Sequence, residues 1–307
     1  MGRYMIRRLL QFIPVFLGAT FLIFALVFLI PGDPIRALSG DKPMPPSVHA
    51  ALEERYNLNK PFWQQYTLYV TGVVQGDFGE DFRGRQVVDI MRERIPVTFK
   101  LAMYAFAFEI VIGLTAGVMA GLRKGGFVDN LVRVSTLVVI SIPIFVLGFM
   151  AQLLIGVRLG WLPVSGLGAG TSSFIMPAIV LGSLSLAYIA RLTRTSLAEN
   201  MRADYVRTAT AKGLKRSRVV GVHAMRNSMI PVITFLGVDL GALMGGAIIT
   251  EGIFNLPGLG NAVFTAVTRQ EGTVVVGIVT FLVLLFLLSN LIVDVLYAVL
   301  DPRIRYE

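Results

Sequence analysis

Two carboxylic acids, Glu109 and Asp239, lie deep inside long apolar runs of this sequence. Each is at least eight residues from the nearer end of its run, which is about 12–15 Å at about 1.5 Å per helical residue. A bare carboxylate at that depth in a membrane is costly unless it is protonated, hydrogen-bonded or in contact with water. The two acids are therefore candidates for lining a transport pathway, and a structural polar contact is the alternative interpretation.

Glycines recur every four residues in the same two runs. A four-residue period places them on one face of a helix, where another helix can approach closely. The pattern predicts either tight helix packing or a face that slides or lines a passage. The positions are Gly113, Gly117 and Gly121 in the first run, and Gly237, Gly241 and Gly245 in the second.

A third candidate is the basic stretch "TATAKGLKRSRVVGVHAMRNSMIP" at 208–231. A short helix is predicted over Tyr205–Lys212, and Gly213 is typical of the residue just past a helix end because it accepts a positive φ. A second helix with one apolar face is predicted over 219–225, and Pro231 is expected in the first turn of the apolar helix that follows. The element suits either insertion into the groove of a partner or contact with anionic lipid.

The rest of the sequence predicts a polytopic membrane protein that positions these residues. Of the 307 residues, 55% are hydrophobic and 15% are charged, which is too apolar for a soluble domain. Six runs are long enough to cross about 30 Å of hydrocarbon as helices. The first is too long for the apolar part of a signal peptide and is expected to be retained. The predicted spans are Leu9–Ile30, Leu101–Leu122, Val134–Val157, Phe174–Ala190, Met229–Thr250 and Val274–Val293.

The charges of the loops predict the orientation of the spans. With six spans both termini lie on one side, together with the segment 191–226, whose nine bases and two acids give a net charge of +7. The segment 31–97 on the opposite side has eight bases and nine acids, a net charge of −1. The excess of bases predicts that both termini are cytoplasmic. The bases flank spans and lack interleaved aromatic residues, so nucleic-acid binding is not predicted.

Motifs of enzyme chemistry are absent from the sequence. It contains no G-x-S-x-G, no H-E-x-x-H and no G-x-x-x-x-G-K-[ST], so no catalytic residue and no P-loop are predicted. There is no cysteine, and His49 and His223 fall on opposite sides of the predicted membrane. A metal site is therefore not expected. The glycine-rich stretch Leu256–Gly260 is interpreted as a turn on the outer side.

The basic loop resembles the Glu-Ala-Ala loop of permease subunits in bacterial ABC importers. The corresponding positions are Arg207, Thr208 and Ala209, followed by Gly213, so the first Glu and the usual Leu-Pro are altered. The resemblance covers essentially the whole chain and is specific to the dipeptide, oligopeptide and nickel branch, in particular its B-type dipeptide permease subunits. It rests on "RRLLQFIPVFLGATFLIFALVFLIPGDP", "LNKPFWQQYTLYV", "ERIPVTFKLA", "TEGIFNLPGLG" and "DPRIRY".

The resemblance implies an all-α, type I ABC importer permease fold in the bacterial inner membrane. It implies a homologous second permease subunit, so that the two form a heterodimer, and two cytoplasmic ATPases that bind ATP and Mg, while this chain binds no cofactor. An extracytoplasmic substrate-binding protein would deliver the cargo. Short peptides, with dipeptides first, are the implied cargo, and oligopeptides, nickel chelates, glutathione and haem stay open.

The same resemblance implies roles for particular residues. The loop after the fourth span would couple the permease to its ATPases, and the fifth span would line the passage near the subunit interface. The implied coupling residues are Arg207, Thr208, Ala209, Ala211, Lys212 and Gly213. Residues implied at the passage or interface are Asp239, Gly237, Gly241 and Gly245, and Glu109 is added to them for its depth.

Five parts of the chain follow from these predictions. Residues 1–30 comprise the N-terminus and the first span, and 31–97 form an extracytoplasmic segment with short helices. A core of five helices extends over 98–298 and includes the coupling loop 191–228, and a cytoplasmic tail follows at 299–307.

A stand-alone proton-coupled carrier is the alternative from a different functional class. It would use Glu109 and Asp239 as proton sites, which their depth allows. Uptake by this chain alone, driven by a pH gradient without ATP, would distinguish the carrier from an ATP-driven importer.

Overall fold

The structure, a computed structural model, describes residues 2–29, 35 and 45–300 and is built from helices. Within those residues, extended pairing is limited to one isolated bridge between Glu80 and Gln86. The predicted all-α class is therefore confirmed. The predicted Ile30, the Pro-Gly-Asp-Pro sequence after it and the tail from residue 301 lie outside the described residues.

The helices follow one another with short connections. In chain order they are α1 (Gly2–Phe28), α2 (Pro46–Arg55), α3 (Phe62–Val74), α4 (Val87–Leu122), α5 (Phe127–Ser141), α6 (Ile144–Ala151) with the π-helix π1 (Gln152–Arg158), α7 (Ser172–Asn200), α8 (Asp204–Ala211), α9 (Arg216–Arg218) with π2 (Val219–Ala224), α10 (Met225–Phe254), α11 (Leu259–Thr268) and α12 (Gly272–Leu300). Helix α11 was not predicted. It begins within the stretch that the sequence analysis interpreted only as a turn.

Five helices are long and apolar enough to cross a membrane, and a bent pair can supply a sixth span. Five of the six predicted spans are thus confirmed, although the fourth is longer than predicted because α7 continues to Asn200. The third predicted span, Val134–Val157, corresponds to this bent pair, which begins earlier than predicted. Its two parts, Phe127–Ser141 and Ile144–Arg158, meet at an angle of 102°.

The bend in the third span follows from Pro143. A residue before proline is disfavoured in the α conformation, and proline has no N–H for the helical hydrogen bond. Ile142 is accordingly extended, with φ −98° and ψ 125°, and Pro143 becomes the N-cap of α6. Hydropathy alone does not reveal this break, because the apolar run continues through it.

The helices form two compact units. The first contains the described residues of Met1–Thr98 and Pro257–Leu288, and the second contains those of Phe99–Leu256 and Ser289–Glu307. Each unit has its own set of packed helices.

Aromatic side chains join α1 to α3 in the first unit. The ring centroids of Phe21 and Tyr66 are 5.4 Å apart, and those of Phe24 and Tyr69 are 5.5 Å apart. The Tyr69 hydroxyl donates a hydrogen bond of 2.7 Å to Thr280 of α12. Helices α2 and α3 agree with the short helices predicted within 31–97.

Glycines bring α4 and α7 close together in the second unit. A Cβ on Gly117 would lie 2.6 Å from Cβ of Thr193 and 2.7 Å from the backbone oxygen of Ala190. A Cβ on Gly113 or Gly121 would come within 3.0–3.1 Å of α7. A Cβ does not fit at Gly117 without a shift of its neighbours, and one at Gly113 or Gly121 would be unusually tight, so the packing interpretation of this first glycine series is confirmed.

We predict that Gly117→Val lowers the free energy of unfolding by about 1–3 kcal/mol, because the added atoms must push α4 and α7 apart. Denaturation of the purified protein in detergent measures the change. Gly245→Val is the matched control, since a Cβ at Gly245 meets no described atom within 4 Å. Equal loss of stability in both variants would contradict the packing account.

Candidate functional site

Helix α8 (Asp204–Ala211) is the short helix predicted in the basic loop, displaced by one residue at each end. Asp204 lies in its first turn, where a carboxylate interacts favourably with the helix dipole. Lys212 follows the helix, and Gly213 has a φ of +73°. The predicted left-handed glycine is thus confirmed, and a side chain with a Cβ is disfavoured there.

Helix α8 has one buried face and one exposed face. Val206 and Ala209 are only 4% and 5% exposed. Ala209 therefore packs inward, although the resemblance places it among the coupling residues. The predicted residues that are exposed are Arg207, Thr208, Ala211, Lys212 and Gly213. Small and basic side chains thus contribute to the accessible surface of the helix, together with Asp204 and Tyr205.

The buried face of α8 belongs to a hydrophobic cluster that packs the loop against the membrane helices. Leu197 of α7 is fully buried in this cluster, and Val118 and Leu122 of α4 pack against it. Its buried members are Leu197, Val206, Ala209, Val219 and Ala224. Helix α8 is consequently held against the ends of α4 and α7 rather than projecting freely.

The segment after Gly213 differs from the predicted second helix. Only three residues are α-helical before π2 begins, and Val219 is 3% exposed whereas Val222 is 54% exposed. The predicted common apolar face is wrong because the wider π-helix changes the angular spacing of the side chains. Helix α10 also starts earlier than predicted, so Pro231 lies inside it rather than in its first turn.

A buried ion pair fixes the base of the loop to α5. The Nε and Nη2 atoms of Arg194 donate to the two oxygens of Asp129 at 2.7 and 2.8 Å, and the backbone N–H of Gly125 donates to Oδ2 at 2.8 Å. The Asp129 side chain is 1% exposed and that of Arg194 is 19% exposed. Sequence reasoning missed this pair, and its one available signal was an acid in the first turn of a helix.

Both intramembrane acids are buried in the second unit. Glu109 of α4 is fully buried and Asp239 of α10 is 8% exposed. Ser185 of α7 donates a hydrogen bond of 2.8 Å to Oδ1 of Asp239. This hydrogen bond joins α7 to α10.

The second glycine series does not form one packed face. A Cβ on Gly237 would collide with Cγ2 of Val293, and Gly241 is buried. Gly245 is exposed and faces no described atom within 4 Å. The packing interpretation therefore applies to Gly237 within this chain, and the alternative of a sliding or passage-lining face stays open for Gly245.

A cavity of about 380 Å³ lies in the first unit, among α1, α2, α3 and the start of α12. Arg55 and Glu80 form an ion pair of 2.7 Å on its wall, and the Glu80 carboxylate raises the pKa of the Arg55 guanidinium. Tyr56 also lines the cavity, and burial raises the pKa of its hydroxyl. The volume is within the range of small-molecule sites.

Family comparison identifies the class of protein. Residues 113–306 match the family described as "Binding-protein-dependent transport system inner membrane component", and residues 1–102 match the corresponding N-terminal family. The chain belongs to this family. This permease is a multi-pass component of the bacterial inner membrane and is not itself an enzyme.

Similar proteins extend over the whole permease. The "Di/tripeptide transport system permease protein DppB" of Pseudomonas aeruginosa (strain UCBPP-PA14) is 41% identical, covering 99% of each chain. The "Dipeptide transport system permease protein DppB" of Escherichia coli (strain K12) is 38% identical, and the "Glutathione transport system permease protein GsiC" of the same strain is 36% identical, each covering 100% of both chains.

A solved structure shares the fold of the permease. A chain of the MetNI methionine ABC transporter, in an inward-facing conformation, superposes with a TM-score of 0.57 at 19% identity. The match covers 69% of this chain and 96% of that chain. The predicted type I ABC importer permease fold is therefore confirmed.

We predict that Asp129→Ala lowers the free energy of unfolding by about 3 kcal/mol, because the Arg194 guanidinium loses its carboxylate. This value is at the low end of the losses measured when one partner of a buried ion pair is removed, because the Arg194 side chain is partly exposed. Asp204→Ala is the control: it removes the exposed contact between Asp204 and Arg207 and is expected to change stability very little. Chemical denaturation in detergent measures both, and similar losses would contradict the anchoring role.

Proposed function

We propose that this permease and a homologous, non-identical second permease subunit form the translocation pathway of an ATP-driven importer of short peptides. Dipeptides are the leading cargo because relatives named for dipeptides and for di/tripeptides are 38–41% identical over almost the entire chain. An extracytoplasmic binding protein delivers the cargo, in keeping with the description of the family. Oligopeptides and glutathione, named in relatives 36% identical, are alternative cargoes, as are nickel chelates and haem.

The exposed face of α8 is the observation that carries the proposed coupling. Two cytoplasmic ATPases bind ATP and Mg, and each contacts the coupling helix of one permease subunit. Arg207, Thr208, Ala211 and Lys212 form the contact surface, since they are exposed on or directly after α8. Ala209, on the buried face of the helix, packs in the hydrophobic cluster. Gly213 turns the chain back toward α10.

The packing of α8 against the membrane helices explains how a movement of the ATPase reaches those helices. The hydrophobic cluster joins α8 to the ends of α4 and α7, and the pair of Asp129 and Arg194 joins α7 to α5. A displacement of α8 by the ATPase is thus passed to several membrane helices together. ATP binding would move these helices between inward-facing and outward-facing forms, and a ligand that favours one form by a few kcal/mol biases the cycle.

The proposed topology places both termini, α8 and its surrounding loop 191–228 in the cytoplasm. The segment 31–97 then lies outside, where its cavity faces the binding protein. Helix α10 lines the passage or the subunit interface, and Gly245 is suited to a contact with the second subunit because it is exposed.

We predict that Gly213→Val slows ATP-driven uptake about tenfold while the complex still assembles. A β-branched residue in the left-handed conformation costs about 1–2 kcal/mol, and a tenfold change corresponds to about 1.4 kcal/mol. Dipeptide uptake and ATP hydrolysis by the complete complex in proteoliposomes measure the effect. Loss of uptake with continued ATP hydrolysis is the expected uncoupled state.

Two variants control this experiment. Gly213→Asn should retain more uptake, because Asn tolerates a positive φ. Gly221→Val should retain uptake, since Gly221 is exposed, has no positive φ and meets nothing within 4 Å. Full ATP-coupled uptake in Gly213→Val would contradict the coupling role. Uptake by the permease alone, driven by a pH gradient without ATP, would show that it is a proton-coupled carrier and not part of an ATP-driven importer.

A further inference from the structure

The cavity of the first unit has a charged part and an apolar part. Three of its lining side chains are charged, those of Arg55, Asp77 and Glu80. The apolar part is formed by Phe24, Phe28, Leu68, Tyr69 and Val276. A few polar groups in a concave, largely apolar site are typical of small-molecule binding. The lining therefore suits a ligand whose charged groups are attached to an apolar body.

Asp77 has a carboxylate oxygen available for a ligand. Its Oδ1 accepts a hydrogen bond of 2.8 Å from the backbone N–H of Gly79, which fixes the carboxylate in a tight turn. Gly79 has a φ of +91°, and a Cβ there would collide with the methyl group of Thr273, so the turn lies against the start of α12. Among the described residues, neither a donor to Oδ2 nor a cation pairs with Asp77, which is exposed. An ammonium group would supply both a charge and N–H donors.

Arg55 has donors available for an oxyanion. Its Nη2 atom binds Glu80 at 2.7 Å, and its side chain is 55% exposed. Since a guanidinium carries five N–H donors, this contact leaves others for a carboxylate or a phosphate. The charge of Glu80 is matched by Arg55, whereas that of Asp77 is not matched by a described residue. The cavity lining thus combines a cation that can accept a second anion with an acid that can accept a cation.

We propose that this cavity binds a small zwitterion, with the ammonium group on Asp77, the oxyanion on Arg55 and the apolar body against the aromatic side chains. Two sources have this chemistry: a short peptide, and the headgroup of an amino phospholipid such as phosphatidylethanolamine. The cavity lies at the ends of α1 and α12, two candidate membrane spans, where water and lipid headgroups meet. The peptide source rests on the proposed function, and the site itself does not.

Binding of a dipeptide tests the ammonium contact in the complete complex, without ATP or binding protein, in nanodiscs of phosphatidylglycerol. Equilibrium dialysis would compare alanyl-phenylalanine with its N-acetyl form, which lacks the ammonium group. Acetylation should weaken binding to the wild type about tenfold, because a charge-assisted hydrogen bond is lost. It should matter little in Asp77→Asn, which can still accept from Gly79 and keep the turn. Asp89→Asn, the same change at an exposed acid of α4, should behave as the wild type.

The lipid source has its own measurement. Native mass spectrometry of the complex from nanodiscs that also contain phosphatidylethanolamine should show this lipid retained by the wild type and by Asp89→Asn, and lost from Asp77→Asn. Dependence on Asp77 in either measurement supports the site and identifies the source. If acetylation weakens dipeptide binding equally in the wild type and Asp77→Asn, and phosphatidylethanolamine is retained equally, the proposal is wrong.

ATP-driven dipeptide uptake with the binding protein, measured in parallel, separates this proposal from the proposed function. Uptake without any dependence of ligand binding on Asp77 would overturn the site and leave the importer. Binding that depends on Asp77, in a complex that does not take up dipeptides, would support the site and overturn the proposed cargo.

Discussion

The close packing of α4 against α7 is the contact on which the second unit depends. Gly117 allows the two backbones to approach to a distance at which a Cβ would not fit. The ends of the same two helices pack against α8, through Leu197 and the side chains of α4 that surround it. One helix pair therefore holds the membrane part together and also positions the surface that we propose meets the ATPase.

Two side-chain polar contacts in this unit join different helices. Arg194 binds Asp129 through two hydrogen bonds and ties α7 to α5. Ser185 binds Asp239 and ties α7 to α10. Since unpaired polar groups are costly in an apolar environment, these contacts favour one arrangement of the helices more specifically than apolar packing alone.

The sequence predicted most of the spans because a long apolar run has few stable places other than a membrane. It also predicted the short helix before Gly213, since a glycine after a basic helix end is a local signal. The bend at Pro143 was missed because the spans were located by hydropathy. The burial of Ala209 and the pairing of Asp129 with a residue 65 positions away could not be read from the sequence, because both depend on how distant helices pack.

The central claim is that the exposed face of α8 meets an ATPase while its buried face stays on the membrane helices. The chain has no cysteine, so an introduced cysteine is the single thiol of this chain. Ala211→Cys and Ala209→Cys would each be labelled with benzophenone maleimide in the assembled, transport-competent complex and irradiated. The account predicts that the label at Ala211 crosslinks to the ATPase. The cysteine at position 209, on the buried face of α8, should label poorly and give no such crosslink. Absence of the crosslink at Ala211, or an equal one at Ala209, would contradict it.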